Sequence, residues 1–214
     1  MGLPTHGFEL DNVEQTIFLL SPADCRGQRA AMLVDPRSQF PLARQLQSEG
    51  ATIGDVFAFL SALYFRGKLT YARCFARVPE GFPGVTVITP GLGLVRDTDR
   101  ITPEELRLFA SVSVDADNRM YREPLLRHAQ ALAQHAGAPA RFVLLGSVAS
   151  AKYVQPLLEV FAERLWFPVD FVGRGDMSRG GLLLRAAREN AELAYGQVQG
   201  AVVRGRRPPR LPRR

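Results

Sequence analysis

The sequence predicts an α/β fold: a single domain over residues 1–203 with a mostly parallel sheet flanked by helices, then a disordered basic C-terminal tail over 204–214. Three observations predict it. The runs "TIFLLSP" (16–22), "VTVITPG" (85–91) and "FVLLGS" (142–147) are apolar without polar alternation, as strands buried on both faces are. Each run ends in a hydroxyl residue beside a turn former. The segments between the runs are helical in pattern and long enough for crossover connections.

The helices follow in order. Residues 54–78 read as helical, with a break expected at Gly67. Residues 102–110 open with a capping box, in which Thr102 caps, Pro103 takes the first helical position and Glu105 reaches back. A helix over 121–137 stops at Gly137, and one over 149–165 carries a kink at Pro156. A fourth strand is expected over 167–173, a last helix over 179–195 and an edge strand over 196–205.

Composition bounds the rest. Of 214 residues, 46% are hydrophobic and 22% charged, which is the make-up of a globular chain rather than a disordered one. No apolar run reaches the length of a membrane span. The N-terminus has no basic patch leading into an apolar core, so no signal peptide is expected. Cys25 and Cys74 read as two free thiols, and a cytoplasmic location is expected. The formal charge of +6 is confined to one place. The tail contributes Arg204, Arg206, Arg207, Arg210, Arg213 and Arg214 without an acid, and outside it 21 basic residues face 21 acidic ones. A neutral body with a cationic arm fits a nucleic acid held by counterion release. A solubilising terminus fits the same composition.

In open α/β sheets, ligands bind beyond the carboxyl ends of the strands. Those ends are 21–29, 89–96, 146–153 and 173–181, and polar and glycine residues concentrate there. The richest is "GRGDMSRGG" (173–181). Asp176 or Ser178 can cap a helix starting near Arg179. Gly180 and Gly181 can leave first-turn amides open to a phosphate or carboxylate, with Arg174 and Arg179 as bidentate partners. The alternative is a cap and nothing more. Asp176 is the acid–base candidate if the site is catalytic. "LLGSVASAKY" (144–153) offers Ser147, Ser150 and Lys152 at a second strand end, and Ser21 stands at a third. Cys25 beside Arg26 reads as a structural thiol.

Two further segments are ambiguous. "YFRGKLTYARCF" (64–75) interleaves aromatic and basic residues, as base-stacking surfaces do, yet Tyr64, Tyr71 and Phe75 at helical spacing read as core. "VITPGLGLV" (87–95) carries Gly91 and Gly93 but opens no helix, so it reads as a turn. His6, His128 and His135 form no ligand group, and neither a metal nor a cofactor is expected.

"FLLSPAD", "LLGSVASAKYV" and "SRGGLLLRAAREN", taken in order, resemble the YaaA-like proteins. "YFRGKLTYARCFA" followed by "VTVITPGLGLV" is similar to a related uncharacterised bacterial α/β domain family. The resemblance implies a peroxide-stress, DNA-binding protein without a settled reaction. It implicates Ser21, Ser147, Tyr153, Arg179 and Gly180. The chain departs from that pattern at Asp24, where the family tends to have lysine, and in its "GRGDM" loop. The expectation is a nucleic-acid- or nucleotide-binding protein. An enzyme acting on a nucleoside or phosphorylated metabolite and a non-catalytic scaffold are the alternatives.

Overall fold

The structure, a computed structural model, describes residues 15–137 and 139–202 with Gly205, Pro208 and Pro209. The N-terminal segment with His6, and the tail residues Arg204, Arg206, Arg207, Arg210, Arg213 and Arg214, lie outside the described residues.

Along the chain, β1 (Thr16–Leu20) is followed by α1 (Gln28–Val34), α2 (Pro41–Ser48), β2 (Ala51–Thr52), α3 (Ile53–Ser61) and α4 (Leu63–Phe75). Then come β3 (Val85–Thr89), β4 (Gly93–Arg96), β5 (Arg100–Ile101), α5 (Pro103–Ser111) and α6 (Arg119–Ala136). The last elements are β6 (Arg141–Leu145), α7 (Ala151–Phe161), β7 (Leu165–Pro168), α8 (Asp176–Glu189) and β8 (Tyr195–Gln197). The main sheet has the order β4-β3-β1-β6-β7-β8. Its inner strands β3, β1, β6 and β7 run parallel, and β4 and β8 are antiparallel edges. β2 and β5 form a separate two-stranded ribbon. The mostly parallel α/β architecture is the one expected from the buried runs.

The sheet divides two cores. Phe18 and Leu20 of β1 face one side, with Phe57, Phe65, Tyr71, Leu183 and Phe109 packed there. Ile17 and Leu19 face the other, against Tyr121, Leu125, Leu157 and Phe161. Every residue of β1 is buried, which explains its unbroken apolar run. The face choice decides where a site can be. The chain leaving β1 crosses through α1–α4 on the first face, whereas the helix following β6 lies on the second. β1 and β6 are neighbours, so a crevice opens between their carboxyl ends, at a topological switch point.

Several boundaries differ from expectation. The helical run 54–78 breaks at Ala62, whose φ is 46°, and not at Gly67. Gly67 sits inside α4 because α8 crosses there: a Cβ on Gly67 would stand 2.7 Å from the Gly180 carbonyl oxygen. A Cβ on Gly180 would stand 2.8 Å from the Leu63 carbonyl oxygen. The capping box at Thr102 and Glu105 is present with both bonds. α8 starts at Asp176, three residues earlier than Arg179, with Gly175 at its N-cap and no side-chain cap bond. Neither Asp176 nor Ser178 therefore caps it. The segment 87–95 is a hairpin turn between β3 and β4. Pro156 lies inside α7, and that helix stops at Phe161 rather than 165, before Ala162 at φ 48°.

Candidate functional site

Because β1, β3, β6 and β7 are parallel, the four predicted strand ends open on one edge of the sheet. At the switch point β6 closes on β1. A Cβ on Gly146 would meet the Ser21 side chain at 2.9 Å, so only glycine allows this approach. Ser21 follows β1 directly, is 4% exposed, and donates its amide to the Leu145 carbonyl at 3.2 Å.

The partner of Ser21 comes from the aromatic–basic segment 64–75. Lys68, in the middle of α4, is 1% exposed. Its Nζ donates to the Ser21 carbonyl oxygen at 2.6 Å and to Ser21 Oγ at 2.9 Å. The same nitrogen sits 4.5 Å from the Tyr64 ring centre and 4.8 Å from that of Phe65. Burial pulls the Lys68 ammonium down to about 7, since the charged form is stripped of water; Asp176 opposes that shift and Arg179 adds to it. The helical pattern holds a signal for this position. Lys68 lies four residues after Tyr64, three before Tyr71 and seven before Phe75, on the apolar face of α4.

The Tyr64 ring carries a second anomaly. Its hydroxyl is buried and donates no hydrogen bond among the described residues, while the Arg179 guanidinium lies close enough to act on it. Burial raises it well above the usual tyrosine range, with Arg179 opposing and Asp176 assisting, so the group stays protonated. An unsatisfied buried hydroxyl costs about 1–3 kcal/mol, which a ligand can recover. Tyr153, from the start of α7, is likewise buried and pushed up to about 12, by desolvation first and Asp176 second.

The remaining predicted residues divide between this buried group and its rim. Arg179 is 8% exposed. Its Nε and one terminal nitrogen donate to the Phe171 carbonyl at 3.3 and 3.1 Å, and its guanidinium carbon lies 5.4 Å from the Phe171 ring centre. The other terminal nitrogen reaches Asp176 at 3.5 Å. Arg179 thus ties α8 to the turn before it. Gly180 is accounted for by the α4 crossing, and Gly181 beside it is half-buried. Asp176 is 68% exposed at its side chain. Arg174 donates to the Asp170 carbonyl, to Ser178 Oγ at 3.3 Å and to the Pro209 carbonyl at 3.4 Å. Ser147, next to Gly146, is half-buried.

A polar cavity of about 350 Å³ is lined by Pro22, Asp24, Arg26, Pro90, Lys152 and Tyr153, among others. It joins three of the four predicted loops. The Lys152 ammonium lies 5.1 Å from the Tyr153 ring centre. Cys25 also lines it, but its thiol is pushed up to about 12 by burial, which makes it the structural thiol expected. A larger groove of about 660 Å³ lies at the opposite end of the sheet, between the 79–83 turn, β4 and α6. It holds none of the predicted site residues. Among the described residues no group of three His, Cys, Asp or Glu is placed to hold a metal ion. No helix among them is long and apolar enough to cross a membrane.

Comparison of the chain with family models, curated proteins and solved structures finds no match.

Proposed function

We propose that the protein binds a nucleotide or a nucleic-acid segment at the crevice beyond β1 and β6, as its motif resemblance to the YaaA-like proteins implies. The observation that supports this most is that three of the four predicted loops line one cavity beyond the strand ends, where α/β sheets take their ligands. Lys152 lines that cavity as a partner for phosphate, beside the buried Tyr153 ring. The tail's six arginines add non-specific affinity for the polymer.

The test is binding of duplex DNA, single-stranded RNA and nucleoside triphosphates over a salt series, with the full chain and with residues 1–203. Affinity for the polymers should fall with salt. On duplex DNA the slope should shrink when the six tail arginines are removed, by roughly 0.9 for each phosphate they neutralise. Absence of binding by either chain at low salt would overturn the proposal.

A second reading, an enzyme acting on a nucleoside or phosphorylated metabolite, is favoured by one observation: a buried lysine hydrogen-bonded to a serine at the same crevice. In that reading Lys68 handles the proton and the exposed Asp176 does not.

A further inference from the structure

We propose that Ser21 and Lys68 are a nucleophile–base pair, with Ser21 Oγ attacking an acyl carbonyl carbon held in the crevice and Lys68 Nζ taking the hydroxyl proton. The proposal rests on the crevice being the ligand site, and not on which ligand binds there.

Four features of the geometry carry it. Nucleophile and base are 2.9 Å apart, within reach of direct proton transfer. A third group orients the base: the Ser21 carbonyl accepts one N–H at 2.6 Å, and the Tyr64 and Phe65 rings flank the nitrogen. A neutral amine in that position keeps its lone pair for the hydroxyl while still donating to the carbonyl. The fourth feature is the Tyr64 hydroxyl, buried and protonated, with Arg179 close by but its own proton undonated among the described residues, on a ring whose centre lies 4.5 Å from Nζ. It is an uncommitted donor for the oxygen on which charge develops.

The surroundings favour the uncharged amine. The groups acting on Lys68 are Asp176 and Arg179 from α8, Ser21 from the end of β1, and Tyr64 on its own helix; no carboxylate among the described residues is hydrogen-bonded to it. Burial outweighs the attraction of Asp176, so near neutrality a substantial share of Lys68 is free base. An acyl carbonyl suits the pair better than a phosphoryl group. Arg179, the buried cation beside it, has its guanidinium engaged by the Phe171 carbonyl and is not free to neutralise phosphoryl charge.

The step balances without a co-reactant other than water. The Oγ–carbon bond forms as the carbonyl π pair moves onto oxygen, and the hydroxyl proton passes to Nζ. The tetrahedral adduct collapses and expels the alcohol or amine, which takes the proton back from Nζ. Water then attacks the seryl ester with Lys68 again as base. The products are a carboxylic acid, the leaving group and free Ser21.

The experiment is labelling of the folded, full-length chain with a fluorophosphonate probe, read by peptide mass spectrometry from pH 6 to 9. The expected result is an adduct on Ser21 whose rate rises and levels off through about pH 7. Ser21→Ala should abolish it, and Lys68→Met should slow it roughly 10²–10⁴-fold, the usual contribution of a positioned base. No Ser21 adduct, or one formed equally fast in Lys68→Met, overturns the proposal. A rate independent of pH in the wild-type chain overturns it too, and needs no variant to fold. Oligonucleotide and nucleotide binding by the wild-type chain is measured alongside. Binding without an adduct leaves the nucleotide reading standing and removes the pair; an adduct without binding keeps the crevice and the pair and removes the nucleotide reading.

Discussion

Lys68 should leave a signature in stability as well as in chemistry. Its ammonium is held at about 7 in the folded chain, against 10.5 for the free side chain. Between those values the unfolded chain binds the proton and the folded chain does not, so stability rises with pH. Cys25 limits the usable window. Its thiol is raised from 9.0 to about 12, so above pH 9 the unfolded chain loses that proton first and the rise from Lys68 is cancelled. From pH 7 to 9, allowing for partial titration at the lower end, Lys68 contributes about 2 kcal/mol. Urea unfolding at pH 7, 8 and 9 and constant ionic strength should show that rise in the wild type and a flat line in Lys68→Met. The slope is the readout rather than the absolute value. Methionine removes the buried ammonium but also orphans the Ser21 carbonyl, at about 1–3 kcal/mol. A wild type whose stability does not rise, or a variant that rises equally, would refute the depressed lysine.

Other outcomes follow from the packing. Gly67→Ala should destabilise the chain by about 1–3 kcal/mol, because its Cβ meets the Gly180 carbonyl of α8; a solvent-facing helical glycine would instead gain about 1 kcal/mol on this change, so a rise in melting temperature would sink the close-crossing account. In the native chain a disulfide reagent should modify Cys74, which is exposed, and reach Cys25 only after unfolding; two thiols reacting at once under native conditions would contradict the buried assignment. Thr102→Ala removes half of the capping box and should lower stability by about 1 kcal/mol in a urea titration, with no effect on ligand binding.

The inner strands were legible because a parallel sheet buries both faces, which writes itself as an unbroken apolar run such as "TIFLL". The short helices α1 and α2 carry no such run and were not anticipated. Glycine misled twice. At Gly67 it reads as a helix breaker, and at Gly180 as an open amide, when the two glycines serve the same helix crossing. Strand ends and rim residues could be found from their positions in an α/β pattern. Lys68 could not be told from a solvated lysine until β1 and α4 were packed together, although its place among Tyr64, Tyr71 and Phe75 held the clue. A contact between residues 47 apart in sequence is tertiary information.

The crevice between β1 and β6 as the ligand site is the claim on which the functional account depends. Amide chemical-shift mapping tests it most directly, with an isotope-labelled full-length chain titrated against a short DNA duplex and against a nucleoside triphosphate. Saturable shifts are expected at residues 21–26, 146–153 and 174–181 with both ligands, joined by the tail with the duplex alone, while the 79–83 turn and α6 stay unmoved. Shifts that appear only in the tail, or that centre on the groove beside His128 and His135, would contradict it.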